Sequence, residues 1–266
     1  MKNNEDGLFV HNLSVNATLK DGKQEWLTKD ISFHVPLGGK VALVGASGCG
    51  KTMTAMAILG LLPNNCNADG SVRFSGKDLI SMSEREHRAY LGRSHVLLPQ
   101  SGADFLNPVL TIGKQMKQSL RKNQIPRKGQ ERVLHELLAR VGFMEPERVL
   151  DSYPFQLSGG MAQRVVMAIA SIGTPELVIA DEPTRGIDKD NTGLFLQNLS
   201  ALFGKAAILL ITHDLSVAAA CDDILVMYAG QIVERGQAQQ VLNEPACEYT
   251  KALLSALPYG KEANHA

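Results

Sequence analysis

The apolar run Val41-Ala-Leu-Val44 passes directly into Gly45-Ala-Ser-Gly-Cys-Gly-Lys-Thr52, and from Lys51 to Leu61 small and apolar residues prevail until Pro63. This order, a buried strand, a glycine loop and a helix, narrows the fold more than any other feature, because it requires an α/β sheet with ligands at its strand ends. The octet fits G-x-x-x-x-G-K-[ST]. Its glycines, Gly45, Gly48 and Gly50, let backbone N–H groups turn toward one point, and the helix amino terminus adds positive potential there. Lys51 then reaches the β- and γ-phosphates of a nucleotide and the Thr52 hydroxyl suits Mg²⁺, while Ala46, Ser47 and Cys49 fill the unspecified positions. The alternative is a glycine-rich turn with a solvated lysine, which the matched strand and helix make the lesser reading.

Before this unit, Leu8-Phe-Val10, Leu13-Ser-Val15 and Ile31-Ser-Phe-His-Val35 read as short strands, broken at Asp21-Gly22 and at Pro36 to Gly39. Residues 112–150 carry helical period, with Val133, Leu134, Leu137, Leu138 and Val141 on one face and Pro126 and Gly129 separating two helices. Farther on, Leu177-Val-Ile-Ala180, Ala207-Ile-Leu-Leu-Ile211 and Ile224-Leu-Val-Met-Tyr228 are near-continuous apolar runs, as expected of parallel strands covered on both faces. Residues 237–266 read as a short helical tail with a polar, alanine-rich end.

Two of these strands end in chemistry. Asp181-Glu182 closes one, where Asp181 suits the Mg²⁺ shell and Glu182 suits orienting or deprotonating a water. Thr212-His213-Asp214 closes another, where His213 suits contact with a γ-phosphate and positioning of water. Gln100, after Val96-Leu-Leu-Pro, offers an amide to Mg²⁺ or to the attacking water. Taken alone, each is more often a solvated turn or a structural residue. The phosphate loop gives them a common purpose.

The octet Leu157-Ser-Gly-Gly-Met-Ala-Gln-Arg164 places two glycines at the start of an otherwise good helix, at a cost of about 1 kcal/mol each relative to alanine. It holds no nucleophile, acid or metal ligand of its own. An ordinary serine-capped helix is one reading of it.

With the phosphate loop, Gln100, Asp181-Glu182, Asp188 in Pro183-Thr-Arg-Gly-Ile-Asp188 and His213, this octet resembles the signature set of ATP-binding cassette (ABC) ATPases, in the family's order. The resemblance implies an α/β P-loop fold with a mainly parallel core sheet, an antiparallel β portion and an inserted helical lobe at about 101–170. It further implies a nucleotide-binding domain over 1–236 and a short extension over 237–266. ATP and Mg²⁺ are the implied ligands, with two ATPs between two such domains. Ser158, Gly159 and Gly160 would face the γ-phosphate of the partner copy, with Asp188 near it, and Glu182, His213 and Gln100 would serve hydrolysis.

More narrowly, Leu106-Asn-Pro-Val-Leu-Thr-Ile112, Tyr153-Pro-Phe-Gln-Leu-Ser158 and the segment from Val241 to Pro258 are similar to the oligopeptide, dipeptide and nickel uptake group. That implies a motor of an importer, partnered by transmembrane permease subunits, by a second ABC ATPase (identical or related) and indirectly by an extracytoplasmic binding protein. The cargo would be nickel, a metal chelate or an oligopeptide; Gly50-Lys-Thr-Met-Thr-Ala-Met-Ala-Ile-Leu-Gly-Leu-Leu-Pro63 and the short tail lean toward the metal-chelate members. The tail reads Cys247-Glu-Tyr249 where the group commonly has His-Pro-Tyr. The aromatic that many members stack on adenine is replaced in register by Ala17, with Trp26 or Phe9 as substitutes.

Charge bears on the competing classes. Lys plus Arg and Asp plus Glu are equal at 27 each, so nothing favours nucleic acid. A non-transport cassette acting on a ribosome or DNA repair complex therefore ranks second, and a regulatory subunit without turnover would lack Glu182 or His213. No apolar run reaches the eighteen or so residues of a spanning helix. With an acidic, amide-rich amino terminus and four scattered cysteines, a peripheral location on the cytoplasmic face of the membrane is expected.

Overall fold

The computed structural model describes residues 6–186 and 188–256, the side chains of 189 and 190 excepted. The polar end of the tail, 257–266, lies outside the described residues. The chain divides into two compact units, Met1–Ala89 with Ala207–Ala266, and Tyr90–Ala206. The second unit thus begins before Gln100 and runs past Asp188, and it contains the whole stretch of about 101–170. The described part of the tail belongs to the first unit.

In chain order the first unit holds β1 (Gly7–Thr18), β2 (Gln24–Pro36), β3 (Lys40–Val44), α1 (Lys51–Leu59), β4 (Cys66–Phe74), β5 (Lys77–Asp78) and α2 (Glu84–Tyr90, ending across the boundary). The second holds β6 (His95–Leu98), α3 (Gly102–Phe105), α4 (Ile112–Lys122), α5 (Gln130–Arg140), α6 (Pro146–Asp151), α7 (Gly159–Ser171), β7 (Leu177–Asp181) and α8 (Lys189–Phe203). The first unit resumes with β8 (Ala207–Thr212), α9 (Leu215–Ala218), β9 (Asp223–Tyr228), β10 (Gln231–Gln237), α10 (Ala238–Asn243) and α11 (Glu248–Ala256).

Within the first unit one sheet is antiparallel, in the order β2-β1-β4-β5. The short strands expected between residues 8 and 35 are two long ones. Asn12 and Asp30 take positive φ of 49° and 52°, and the pairing shifts register between Val10 and Leu13 and again before Val15. Such bulges let a long strand continue through residues that read as breaks. Elsewhere in this unit β3 runs parallel to β8 on one side and to β9 on the other, and β10 returns antiparallel on β9. Val41 to Val44 are at most 1 % exposed. Burial on both faces is what the unbroken apolar run required.

α1 ends at Leu59, four residues short of Pro63, because Gly60 turns left-handed at φ 64°. A Cβ at Gly60 would lie 2.3 Å from the His87 ring, so the stop is also a packing requirement.

In the second unit β6 and β7 pair in parallel, and the stretch expected to hold two helices holds three, α4, α5 and α6. Leu134, Leu138 and Val141 are fully buried against this helical core with Ile112, Met116 and Leu120, whereas Val133 is only half-buried. Helices of eleven residues are marginal alone, and each buried leucine contributes about 1.5–3 kcal/mol to holding them. The four cysteines are free, as expected, and burial pushes the Cys221 thiol up to about 12.

Candidate functional site

In the first unit the site grows from strand register. Val44 is paired with Thr212 on one side and with Val226 on the other, so Gly45 and His213 leave the sheet at one edge, beside Met227 of β9. The loop that follows is pressed against this edge. A Cβ on Gly45 would stand 2.2 Å from the Met227 carbonyl oxygen. Gly50, at φ 105°, would bring one to 2.6 Å from Thr28 Cγ2 and 2.8 Å from the Leu27 oxygen. At both positions only glycine fits.

Gly50 caps α1 without a side chain, leaving first-turn amides of the helix open to an anion. Lys51 is 7 % exposed, and its Nζ donates to the carbonyl oxygens of Gly45 (2.8 Å) and Ala46 (2.9 Å), with Cys49 Sγ at 3.8 Å. These carbonyl partners are neutral dipoles, so neither of them neutralises the lysine. Cys49 is a small loop residue and is buried, while Ala46, Ser47, Gly48 and Thr52 are exposed. His213 is exposed too. Its turn is fixed from both sides: Thr212 Oγ1 accepts from Asp214 N at 2.9 Å, and Asp214 Oδ1 accepts from Ser216 N at 2.8 Å.

Trp26, 46 % exposed, adjoins the Leu27-Thr28 pair that touches Gly50, whereas Phe9 is stacked on His34 at 4.1 Å and Ala17 is buried. Of the three positions, Trp26 has the most exposed ring, Phe9 being half-buried.

In the second unit Leu98 of β6 is in register with Ala180 of β7, so Gln100 and Asp181-Glu182 leave that pair at one edge. Glu182 takes φ 48°, an uncommon conformation for a residue with a side chain, which turns the chain sharply behind its half-buried carboxylate. With its amide oxygen turned inward, Gln100 accepts from Arg185 Nε (3.2 Å) and Nη1 (2.8 Å). The segment behind it is fixed by Gln163 of α7, whose Nε2 donates to the Pro99 oxygen at 3.2 Å.

α7 starts as a capped helix: Ser158 Oγ accepts from Met161 N at 3.3 Å. Among the described residues nothing explains the glycines after it. Neither has positive φ; a Cβ on Gly159 would meet no described atom within 4 Å, and one on Gly160 only Asn191, at an ordinary 3.6 Å. Asp188 caps α8, its Oδ1 accepting from Asn191 N at 2.9 Å and its Oδ2 from Asn191 Nδ2 at 2.7 Å.

A family model described as ABC transporter matches residues 28–185. The chain belongs to that family. The oligopeptide transport ATP-binding protein AppD of Bacillus subtilis is 41 % identical over 86 % of this chain and 71 % of its own length. The dipeptide transport ATP-binding protein DppD of Escherichia coli is 42 % identical over the same shares, and DppD of Bacillus subtilis is 37 % identical over 96 % and 77 %. Among solved structures, the cassette MJ0796 in a dimer bound to ADP and Pi superposes with a TM-score of 0.75 at 22 % identity, covering 87 % of this chain and 98 % of that one. The structure of cbiO1 from Clostridium perfringens gives 0.74 at 25 %, covering 90 % and 92 %. As an ABC ATPase of the peptide-uptake group, the chain is an ATP-hydrolysing enzyme with the family's mixed sheets and helical subdomain. Among the described residues no helix is long and apolar enough to cross a membrane.

The contacts of three residues that shape these sites were not legible in the sequence. Arg185 stands out there, with Gly186, as a departure from the family's usual residues before Asp188, near the expected dimer interface, but its contact with Gln100 does not. Tyr249 and Glu234, treated below, carried no motif of their own that points at the loop.

Proposed function

We propose that this ABC ATPase is the motor subunit of an importer, hydrolysing ATP in sites that two ATPase copies complete for one another. The observation that carries this is the start of α7: an exposed helix amino terminus whose two glycines answer no need of the described residues around them. Bare backbone at a positive helix end suits close approach of a phosphate held by another subunit.

In this reading the loop amides from Gly45 to Gly50 cradle the phosphates, Lys51 neutralises the β- and γ-oxygens, and Trp26 stacks on adenine. Thr52, Asp181 and Gln100 are hard oxygen donors of the kind that Mg²⁺ prefers. When bound, Mg²⁺ supplies charge neutralisation between the β- and γ-phosphates. Glu182 orients and deprotonates the attacking water, His213 holds the γ-phosphate and that water, and Ser158, Gly159, Gly160 and Asp188 close the site from the partner side.

The similar oligopeptide and dipeptide transport proteins favour peptide cargo; the residues from Gly50 to Pro63 favour a nickel or metal-chelate cargo as a second reading. The ATPase would sit at the cytoplasmic face of the membrane on permease subunits fed by an extracytoplasmic binding protein. Balanced charge, 27 against 27, gives no reason to add nucleic acid to its partners. Glu182→Gln is the test: it should bind ATP, lock the assembled ATPase pair closed and lose turnover. Full turnover in that variant would remove Glu182 from the chemistry.

A further inference from the structure

The tail reaches back to the phosphate loop. Tyr249, in the first turns of α11, places its hydroxyl 3.1 Å from Ala46 N and accepts its hydrogen bond, across 203 positions of sequence. Ala46 N belongs to the same peptide group as the Gly45 carbonyl, and that carbonyl receives Lys51 Nζ at 2.8 Å. One peptide plane is therefore held at its N–H by the tail and at its C=O by the loop lysine.

The tyrosine is itself held twice. Its ring lies against Tyr228, with centroids 4.3 Å apart, at the end of β9. The chain leading into α11 is tied to β10, where the Glu234 carboxylate accepts from Ala246 N at 2.7 Å and Cys247 N at 3.1 Å. The β9–β10 turn that carries Tyr228 also grips the loop directly, Gly230 N donating to the Cys49 oxygen at 3.2 Å. Turn and tail thus hold the loop at both of its ends, near Ala46 and at Cys49.

We infer that Tyr249 is a positioning residue for the phosphate loop: its hydroxyl orients the Gly45–Ala46 peptide and, through that carbonyl, sets where Lys51 Nζ waits for phosphate. A loop already arranged for its ligand loses less freedom on binding, so the hydroxyl strengthens nucleotide binding without touching nucleotide. The inference rests on the loop being the ATP site, and the test separates the two.

The measurement is the dissociation constant of the full chain for ATP by calorimetry, for wild type, Lys51→Ala, Tyr249→Phe, Glu234→Ala and the last two combined, with thermal melts of each. Phenylalanine keeps the ring contact with Tyr228, so fold and melting point should hold. Loss of one hydrogen bond should weaken ATP binding about two- to tenfold. Glu234→Ala should weaken it similarly, and the double variant should fall well short of the product of the two. In steady state the change should appear as a raised KM with kcat falling less. Wild type failing to bind ATP, or Lys51→Ala binding normally, would refute the site itself. Wild type binding, Lys51→Ala failing and Tyr249→Phe matching wild type would overturn the role of Tyr249 alone.

Discussion

Replacing Gly50 by alanine should damage the nucleotide loop far more than its single methyl suggests. At φ 105° an L-residue is strained by about 1–2 kcal/mol. The new Cβ would also stand 2.6 Å from Thr28 Cγ2, 2.8 Å from the Leu27 oxygen and 3.0 Å from Met227 Cε. Thr28 is fully buried and its Oγ1 is committed to Val15 N at 3.0 Å, and Leu27 presents backbone, so neither can withdraw cheaply. Overpacking of this kind adds about 1–3 kcal/mol. The total, about 2–5 kcal/mol, is more easily released by moving the loop than by opening the β2 pairing. Charged to binding, it corresponds to a weakening of ATP affinity by at least about thirtyfold. Gly48→Ala is the internal control, since its Cβ would meet no described atom within 4 Å and only the left-handed backbone, φ 81°, is strained. The assay is ATP titration by calorimetry beside thermal melting. Equal affinities for Gly50→Ala and Gly48→Ala, both within twofold of wild type, would refute the steric argument.

Two further expectations follow from side-chain partners. Arg185→Thr frees the Gln100 amide oxygen, so the Mg²⁺ concentration for half-maximal hydrolysis should fall about two- to tenfold, the worth of one or two exposed hydrogen bonds; an unchanged Mg²⁺ dependence would show that the contact does not compete. Burial by itself would raise the Glu234 carboxyl, but the hydrogen bonds from the Ala246 and Cys247 amides and the nearby Lys251 charge outweigh it and hold the group below its ordinary value. A depressed carboxyl stabilises above its unfolded value of about 4.3 and loses that contribution as pH falls through its native one. The melting-point gap between wild type and Glu234→Gln should therefore be widest near neutral pH and shrink as pH falls below about 4.3; a gap constant across that range would contradict the anchoring.

What could be read from sequence was local in sequence. Gly45 to Thr52, the buried runs at β3, β7, β8 and β9 and the Ser158 cap all carry their spacing within a few residues, and each stands where the pattern put it. The strands β4 and β5 went unseen, because polar residues such as Asn67, Asp69 and Ser71 interrupt the alternation while pairing with β1. The two long strands of the first sheet were hidden by bulges at Asn12 and Asp30. Contacts between distant segments leave no spacing to read: Tyr249 to Ala46 and Arg185 to Gln100 emerge only from the folded chain. The purpose of Gly159 and Gly160 lay between these extremes. Their residue types were visible, but only the fold shows that no described neighbour calls for them.

That point also supplies the most direct test of the central claim, that this chain completes a partner's ATP site with α7. In the assembled transporter, Ser158→Arg should leave labelling of this chain by a photoreactive ATP analogue at the wild-type level, because the loop from Gly45 to Thr52 is untouched. Hydrolysis should fall to half or less of wild type, to near zero if both ATPase subunits are this chain. Full hydrolysis with full labelling would mean that the start of α7 is only a helix cap, and the shared-site account would be wrong.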